Sequence, residues 1–199
     1  MKIYKTSFAL PLDWIPEDQG GRHLDQNFNE NMVKSILKKF PVEKVIGEGM
    51  WGVAYKISGD KVLKLTIDKQ EIEAAMQIKG NYGPFAEIYE VGGIGKDGRL
   101  IKLSQNIEGE YVAYYILKEL VKPLDDYTAF LIDYPDEAEE EIQLQKENPD
   151  LYPGKVELCE KVEDYYNDIG NYMFQDCYRS DNLGFDQNGN IVCFDPRVS

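Results

Sequence analysis

Apolar and polar residues alternate along KVIGEG, VAYKI and KVLKLTI, with Ser58-Gly59-Asp60 between the last two. The alternation predicts antiparallel strands with one buried face. Two more strands are expected at 85–93 and 99–107, joined by the turn GKDG, and a short one at 2–9 ahead of a Gly20-Gly21 turn. Helical spacing takes over elsewhere. Met32, Val33, Ile36, Leu37 and Phe40 recur behind an asparagine cap. In DKQEIEAAMQIKG, Asp68 is a candidate cap, Ile72, Ala75, Met76 and Ile78 lie along one side, and Gly80 stops the helix. EGEYVAYYILKELVKPL (108–124) reads as helix, and Val156, Cys159, Val162, Tyr166 and Ile169 form one face of another. The apolar runs NLGF and IVCF, joined by DQNGN with its Asn188-Gly189 turn signal, predict a hairpin. The fold class is therefore α+β: a β-rich first half, a helical second half and a closing hairpin.

A chain of 199 residues suits one domain or a small two-lobed one. Its formal charge of −14 argues against nucleic acid or an anionic membrane as partner, because both need a basic patch. No apolar run approaches the roughly 18 residues that span a bilayer, and Pro11 and Asp13 interrupt the N-terminal apolar stretch, so a cytoplasmic protein without signal peptide is expected. Cys159, Cys177 and Cys193 lack zinc spacing and are odd in number, and His23 sits among polar residues. Zinc, haem and His-dependent triad chemistry are thereby disfavoured. Residues 133–150 hold eight acids and one lysine, half of the net charge, and read as a solvated helix face or insertion.

Three constellations carry chemistry. In Gly47-Glu-Gly49-Met-Trp-Gly52 the glycines precede alternating residues and not a helix, which excludes a dinucleotide-binding turn and places them at a hairpin tip whose N–H groups can drape over phosphates. Lys64 shares a strand face with Val62, opposite Leu63 and Leu65. A lysine beneath that loop needs a phosphate or carboxylate partner. The next helix supplies Glu71 and Glu73, of which Glu71 is preferred because Ala75, a turn later, is on the packed side. Folding NLGF against IVCF brings Asn182 beside Asp195, a hard-oxygen pair suited to Mg²⁺.

Together these resemble the protein kinase-like fold. GEGMWGVAYK is similar to its Gly-rich loop, KVLK to the strand with the phosphate-binding lysine, and NLGFDQNGNIVCFD to the hairpin from catalytic-loop asparagine to metal-binding aspartate. The resemblance covers about 42–196. It implies a bilobal fold: an extension at 1–40, a β-rich N-lobe at 41–108, and a reduced helical C-lobe at 109–199 with an acidic insertion near 133–150. It further implies ATP and Mg²⁺ as cofactors, with Gly47, Gly49, Gly52, Ala54 and Lys64 on the nucleotide, Glu71 orienting Lys64, and Asn182 and Asp195 on the metal.

Two departures from the family pattern qualify the expected activity. In DCYRSDN, counting back from Asn182 puts Cys177 where kinases have their catalytic aspartate, with Asp176 one residue earlier. Either an extra loop residue lets Asp176 act as base, or the base is lost. Asp181 is a third candidate, better suited to assisting metal, and Arg179 a candidate for neutralising phosphate. The chain also ends four residues after Asp195, with Pro196 for the glycine of D-F-G and no activation loop, so an acceptor would dock on 1–40 or 133–150. So small a chain is similar in size to kinase-like proteins of bacterial viruses. The leading expectation is a phosphotransferase acting on Ser/Thr hydroxyls of a protein. The alternatives are a nucleotide-binding pseudokinase that contacts a basic partner, a small-molecule kinase, and, last, an acidic mimic of nucleic acid.

Overall fold

The computed structural model of the protein describes residues 30–49, 51–81, 83–104 and 107–198. The strand at 2–9, the Gly20-Gly21 turn, His23 and the residues ahead of the first helix lie outside them, as does the side chain of Val33. Among the described residues the protein is mixed α+β and divides into two compact units. One takes in the described residues up to Ile72 together with Tyr89–Lys118; the other takes in Glu73–Ile88 and the described residues from Glu119 onward.

The first unit is built on a six-stranded antiparallel sheet of order β1-β2-β3-β6-β4-β5. Its strands are β1 (Val42–Gly49), β2 (Gly52–Ile57), β3 (Lys61–Thr66), β4 (Ile88–Ile94), β5 (Leu100–Lys102) and β6 (Ala113–Glu119). Helix α1 (Glu30–Lys39) lays Met32 and Ile36, followed by Phe40, against Tyr55, Ile57, Leu63, Leu65, Ile94, Ala113 and Tyr115. Each such apolar side chain removed from water contributes about 1.5–3 kcal/mol. The core therefore lies on the sheet face that carries Leu63 and Leu65, and the alternation of β3 turns Lys64 to the other face.

The segment 108–124, expected to be helical, instead forms β6 and the short β7 (Lys122–Pro123). β6 lies between β3 and β4, and Ala113, Tyr115, Ile116 and Lys118 are all buried. A central strand covered on both faces reads as a continuous apolar run, and such a run mimics a helical face. β6 also extends past the lobe boundary expected at 108/109, since it completes the sheet of the first unit. β4 and β5 are shorter than the strands expected at 85–93 and 99–107.

Helix α2 (Lys69–Ile78) begins where Asp68 Oδ1 accepts the Gln70 N–H at 2.9 Å, the expected cap. It is followed by Gly80 with φ of 78°. The second unit contains α3 (Asp126–Asp133), α4 (Pro135–Glu147), α5 (Lys155–Ile169), β8 (Phe174–Gln175), β9 (Leu183–Phe185), β10 (Ile191–Cys193) and β11 (Arg197–Val198). Its core joins Ala74 and Ile78 with Leu131, Ile132, Cys159, Val162, Tyr165, Ile169 and Leu183. On α5 the deeply buried tyrosine is Tyr165, while Tyr166 is half-buried. The acidic stretch forms α4, of which only Ala138 and Gln145 are buried. None of the helices is long and apolar enough to cross a membrane, among the described residues.

Candidate functional site

In the first unit the chemistry gathers on the sheet face away from α1. β1 and β2 pair so that Gly49 meets Gly52 across the hairpin tip, and Gly47 pairs with Ala54, which pairs with Lys64 on β3. Glycine, alanine and lysine thus form one row across three strands, with two small residues leading to the lysine. Lys64 Nζ lies 2.7 Å from Glu71 Oε1 in the first turn of α2, and the two side chains are only 14% and 6% exposed. Of the two glutamates the helix offers, Glu71 is therefore the one that meets the lysine. Such a pair, largely withdrawn from water, fixes the direction of the ammonium.

The hairpin tip is anchored from β3. Thr66 Oγ1 donates to the Trp51 carbonyl at 3.1 Å and accepts the Asp68 N–H at 3.0 Å, while the Ile67 N–H donates to the same Trp51 carbonyl at 3.0 Å. Thr66 is fully buried, and the sequence reading missed it. Its signal was Thr66 two residues before Asp68, a hydroxyl turn at a helix entry. The glycines differ in their reasons. A Cβ on Gly52 would meet the Leu65 carbonyl oxygen at 2.5 Å, so close strand packing requires glycine there. A Cβ on Gly49 would meet nothing within 4 Å, leaving its backbone open to a ligand. Trp51 beside it is 40% exposed.

In the second unit two ladders end close to Asp176, Asn182 and Asp195 in the chain. β9 and β10 pair Leu183 with Cys193, and the Phe194 N–H donates to the Asn182 carbonyl at 2.9 Å, so Asn182 faces the residue just before Asp195. β11 pairs with β8 through Arg197 and Gln175. The Asn182 amide then closes the loop, Nδ2 donating to the Asp176 carbonyl at 3.1 Å. That bond turns the amide oxygen the other way.

The loop that carries Asp176 has a defined backbone geometry. Asp176 has φ of 67°, left-handed backbone that aspartate and asparagine tolerate better than most residues. This twist sends the next residue inward: Cys177 is fully buried, its free thiol hydrogen-bonded to that of Cys193 and its carbonyl accepting the Tyr165 hydroxyl at 2.6 Å. Burial pushes the Cys193 thiol well above its ordinary pKa, so these cysteines serve packing. Asp176 remains half-buried. Arg179 and Asp181 pair with each other at 2.6 Å on the exposed side of the loop. Ser180 donates from its N–H and hydroxyl to the Asp133 carboxylate at 2.9 and 2.6 Å, tying the loop to the end of α3.

The donor set fits Mg²⁺ only alongside phosphate. No group of three or more His, Cys, Asp or Glu side chains suited to a metal occurs among the described residues. One amide oxygen and one carboxylate are too few for an all-protein cage but match the one or two protein ligands Mg²⁺ takes when phosphates and water complete its octahedron. Comparison with protein-family models finds no matching family, and comparison with curated proteins finds no matching relative.

Proposed function

We propose that the protein is a kinase-like phosphotransferase that binds ATP with Mg²⁺ and transfers the γ-phosphoryl group to a Ser/Thr hydroxyl of a protein. The observation that carries this reading is the buried 2.7 Å pair of Lys64 and Glu71 beside a row of small residues that ends under a glycine hairpin. Structural ion pairs are usually exposed and worth little; one this buried calls for a task. Lys64 neutralises phosphate oxygens, Glu71 keeps it aimed, and the open backbone at Gly49 donates N–H groups. When bound, Mg²⁺ neutralises charge developing on the phosphates, with Asn182 and Asp195 as its protein ligands. Asp176 orients the acceptor hydroxyl and takes its proton.

The test is label transfer from γ-labelled ATP, with Mg²⁺, to protein acceptors. Transfer that disappears in Asp195→Ala supports the reading, and transfer unchanged in that variant refutes it. A second reading, a nucleotide-binding pseudokinase, is favoured by one observation: Cys177, at the family's base position, is fully buried. It predicts stabilisation by ATP and Mg²⁺ without turnover.

A further inference from the structure

We propose that the surface beside the Asp176–Asn182 loop is a platform for a basic polypeptide segment, whose arginine or lysine side chains lie on Tyr134 and Tyr178 and face the carboxylates around them. The assignment rests on the phosphotransferase reading and adds to it the class of acceptor. Tyr134 and Tyr178 are 54% and 48% exposed, unusual for large rings. Each is backed by an inner ring: Tyr178 stacks on Tyr166 at 6.4 Å and 20°, and Tyr134 stacks on Phe130 at 5.6 Å and 27°. One π-face of each is covered, and the other is presented.

The two rings border the same stretch of surface. The Tyr166 hydroxyl donates to the Ile132 carbonyl at 2.7 Å, fixing the ring behind Tyr178 to the last turn of α3, and Tyr134 follows two residues later. Ser180, two residues after Tyr178, is bonded to Asp133. Rings already held in place lose little entropy on binding, and an exposed tyrosine face attracts a cation.

Charge selects the partner. Residues 126–145 contain seven acids and neither lysine nor arginine. Asp133, Asp136 and Glu137 are exposed beside Tyr134. The cation of the loop, Arg179, is paired with Asp181, and Lys146, at the far end of α4, is bonded to Glu163. Lys155 lies over Tyr127 at the opposite end of α3, so acids outnumber cations beside Tyr134, a balance that draws a basic segment and repels an acidic one.

The experiment measures anisotropy of fluorescein-labelled peptides that carry one serine flanked by arginines or by glutamates, against the full chain and against Tyr178→Ser and Asp136→Lys/Glu137→Lys. These exposed positions leave the fold intact, which thermal melting checks. The arginine peptide is expected to bind at least tenfold more tightly than the glutamate peptide, and each variant to weaken it by about five- to tenfold. Used as acceptor, the arginine peptide should show a raised KM with kcat held in both variants. Equal binding of both peptides, or binding indifferent to the variants, overturns the platform. Variant-sensitive binding without phosphate transfer refutes the phosphotransferase reading and leaves the platform standing. Transfer to both peptides alike does the reverse.

Discussion

The two units position their candidate groups by different means. In the first, side chains hold side chains: Lys64 is fixed by Glu71, and β4 and β6 meet the end of α1 in a second such group, in which Tyr115 donates to Glu90 at 2.6 Å and Lys39 pairs with Glu90. In the second, backbone does the positioning. The β9/β10 and β8/β11 ladders, the left-handed turn at Asp176 and the bond from Asn182 to the Asp176 carbonyl set where Asp176, Asn182 and Asp195 stand. A site held by side-chain pairing couples function to stability, whereas one held by backbone leaves its side chains replaceable without loss of fold.

The largest expected effect separates chemistry from stability in the second unit. Asp176→Asn preserves a residue type that accepts φ of 67°, so the melting temperature should hold while kcat for phosphate transfer falls by about 10²–10⁴-fold. Cys177→Ala should do the opposite, leaving kcat near wild type and costing about 1–3 kcal/mol in urea denaturation through the void left in the core. If Asp176→Asn transfers phosphate at the wild-type rate, Asp176 is not the base.

Next comes the pairing in the first unit. Lys64→Met leaves the Glu71 carboxylate buried without its ammonium and should destabilise the fold by about 3 kcal/mol, read from the urea midpoint. Lys64→Met/Glu71→Leu should recover most of that loss, because the double variant buries no charge. Equal midpoints for wild type and Lys64→Met would contradict the view that this region is held by the pair.

How much of this was legible in the sequence follows the same division. The hairpin at Gly49/Gly52, the β3 alternation and the α2 cap were readable because each rests on local periodicity or turn chemistry, and the choice of Glu71 over Glu73 followed from Ala75 one turn later. The β6 strand was not, since a doubly covered strand such as Ala113–Glu119 loses the polar alternation that marks a sheet edge. The inward turn of Cys177 after Asp176 was also invisible. Whether the residue after Asp176 turns outward or inward depends on φ at a single position, and on Tyr165 and Cys193 packing around Cys177, which come from distant segments. Thr66 was overlooked because a threonine at a strand end is ordinary until its hydroxyl is seen on Trp51.

A smaller effect sharpens the role of the glycines. Gly52→Ala should cost about 1–3 kcal/mol, because its Cβ collides with the Leu65 carbonyl of a neighbouring strand. Gly49→Ala, with open space around it, should leave stability nearly unchanged and weaken ATP binding. Reversal of these two outcomes would remove Gly49 as the point of phosphate approach.

The smallest effect concerns pH. Burial pushes the Glu90 carboxyl up, but the hydrogen bonds from Lys39 and Tyr115 and the charge of Lys39 outweigh it, so the group ionises below its ordinary value of 4.5. A depressed carboxyl contributes stability that is present above its unfolded pKa and is lost as pH falls through the folded one. The difference in urea midpoint between wild type and Glu90→Gln should therefore be constant above about pH 5 and shrink as the solution is acidified. A difference that grows on acidification would reverse the assignment.

The most direct test of the account is calorimetric titration of ATP, with and without Mg²⁺, into the wild-type chain, Lys64→Met and Asp195→Ala. The account predicts saturable binding that strengthens with Mg²⁺, weakens at least about tenfold in each variant, and no longer responds to Mg²⁺ in Asp195→Ala. Absence of ATP binding, or binding that neither substitution changes, would contradict it.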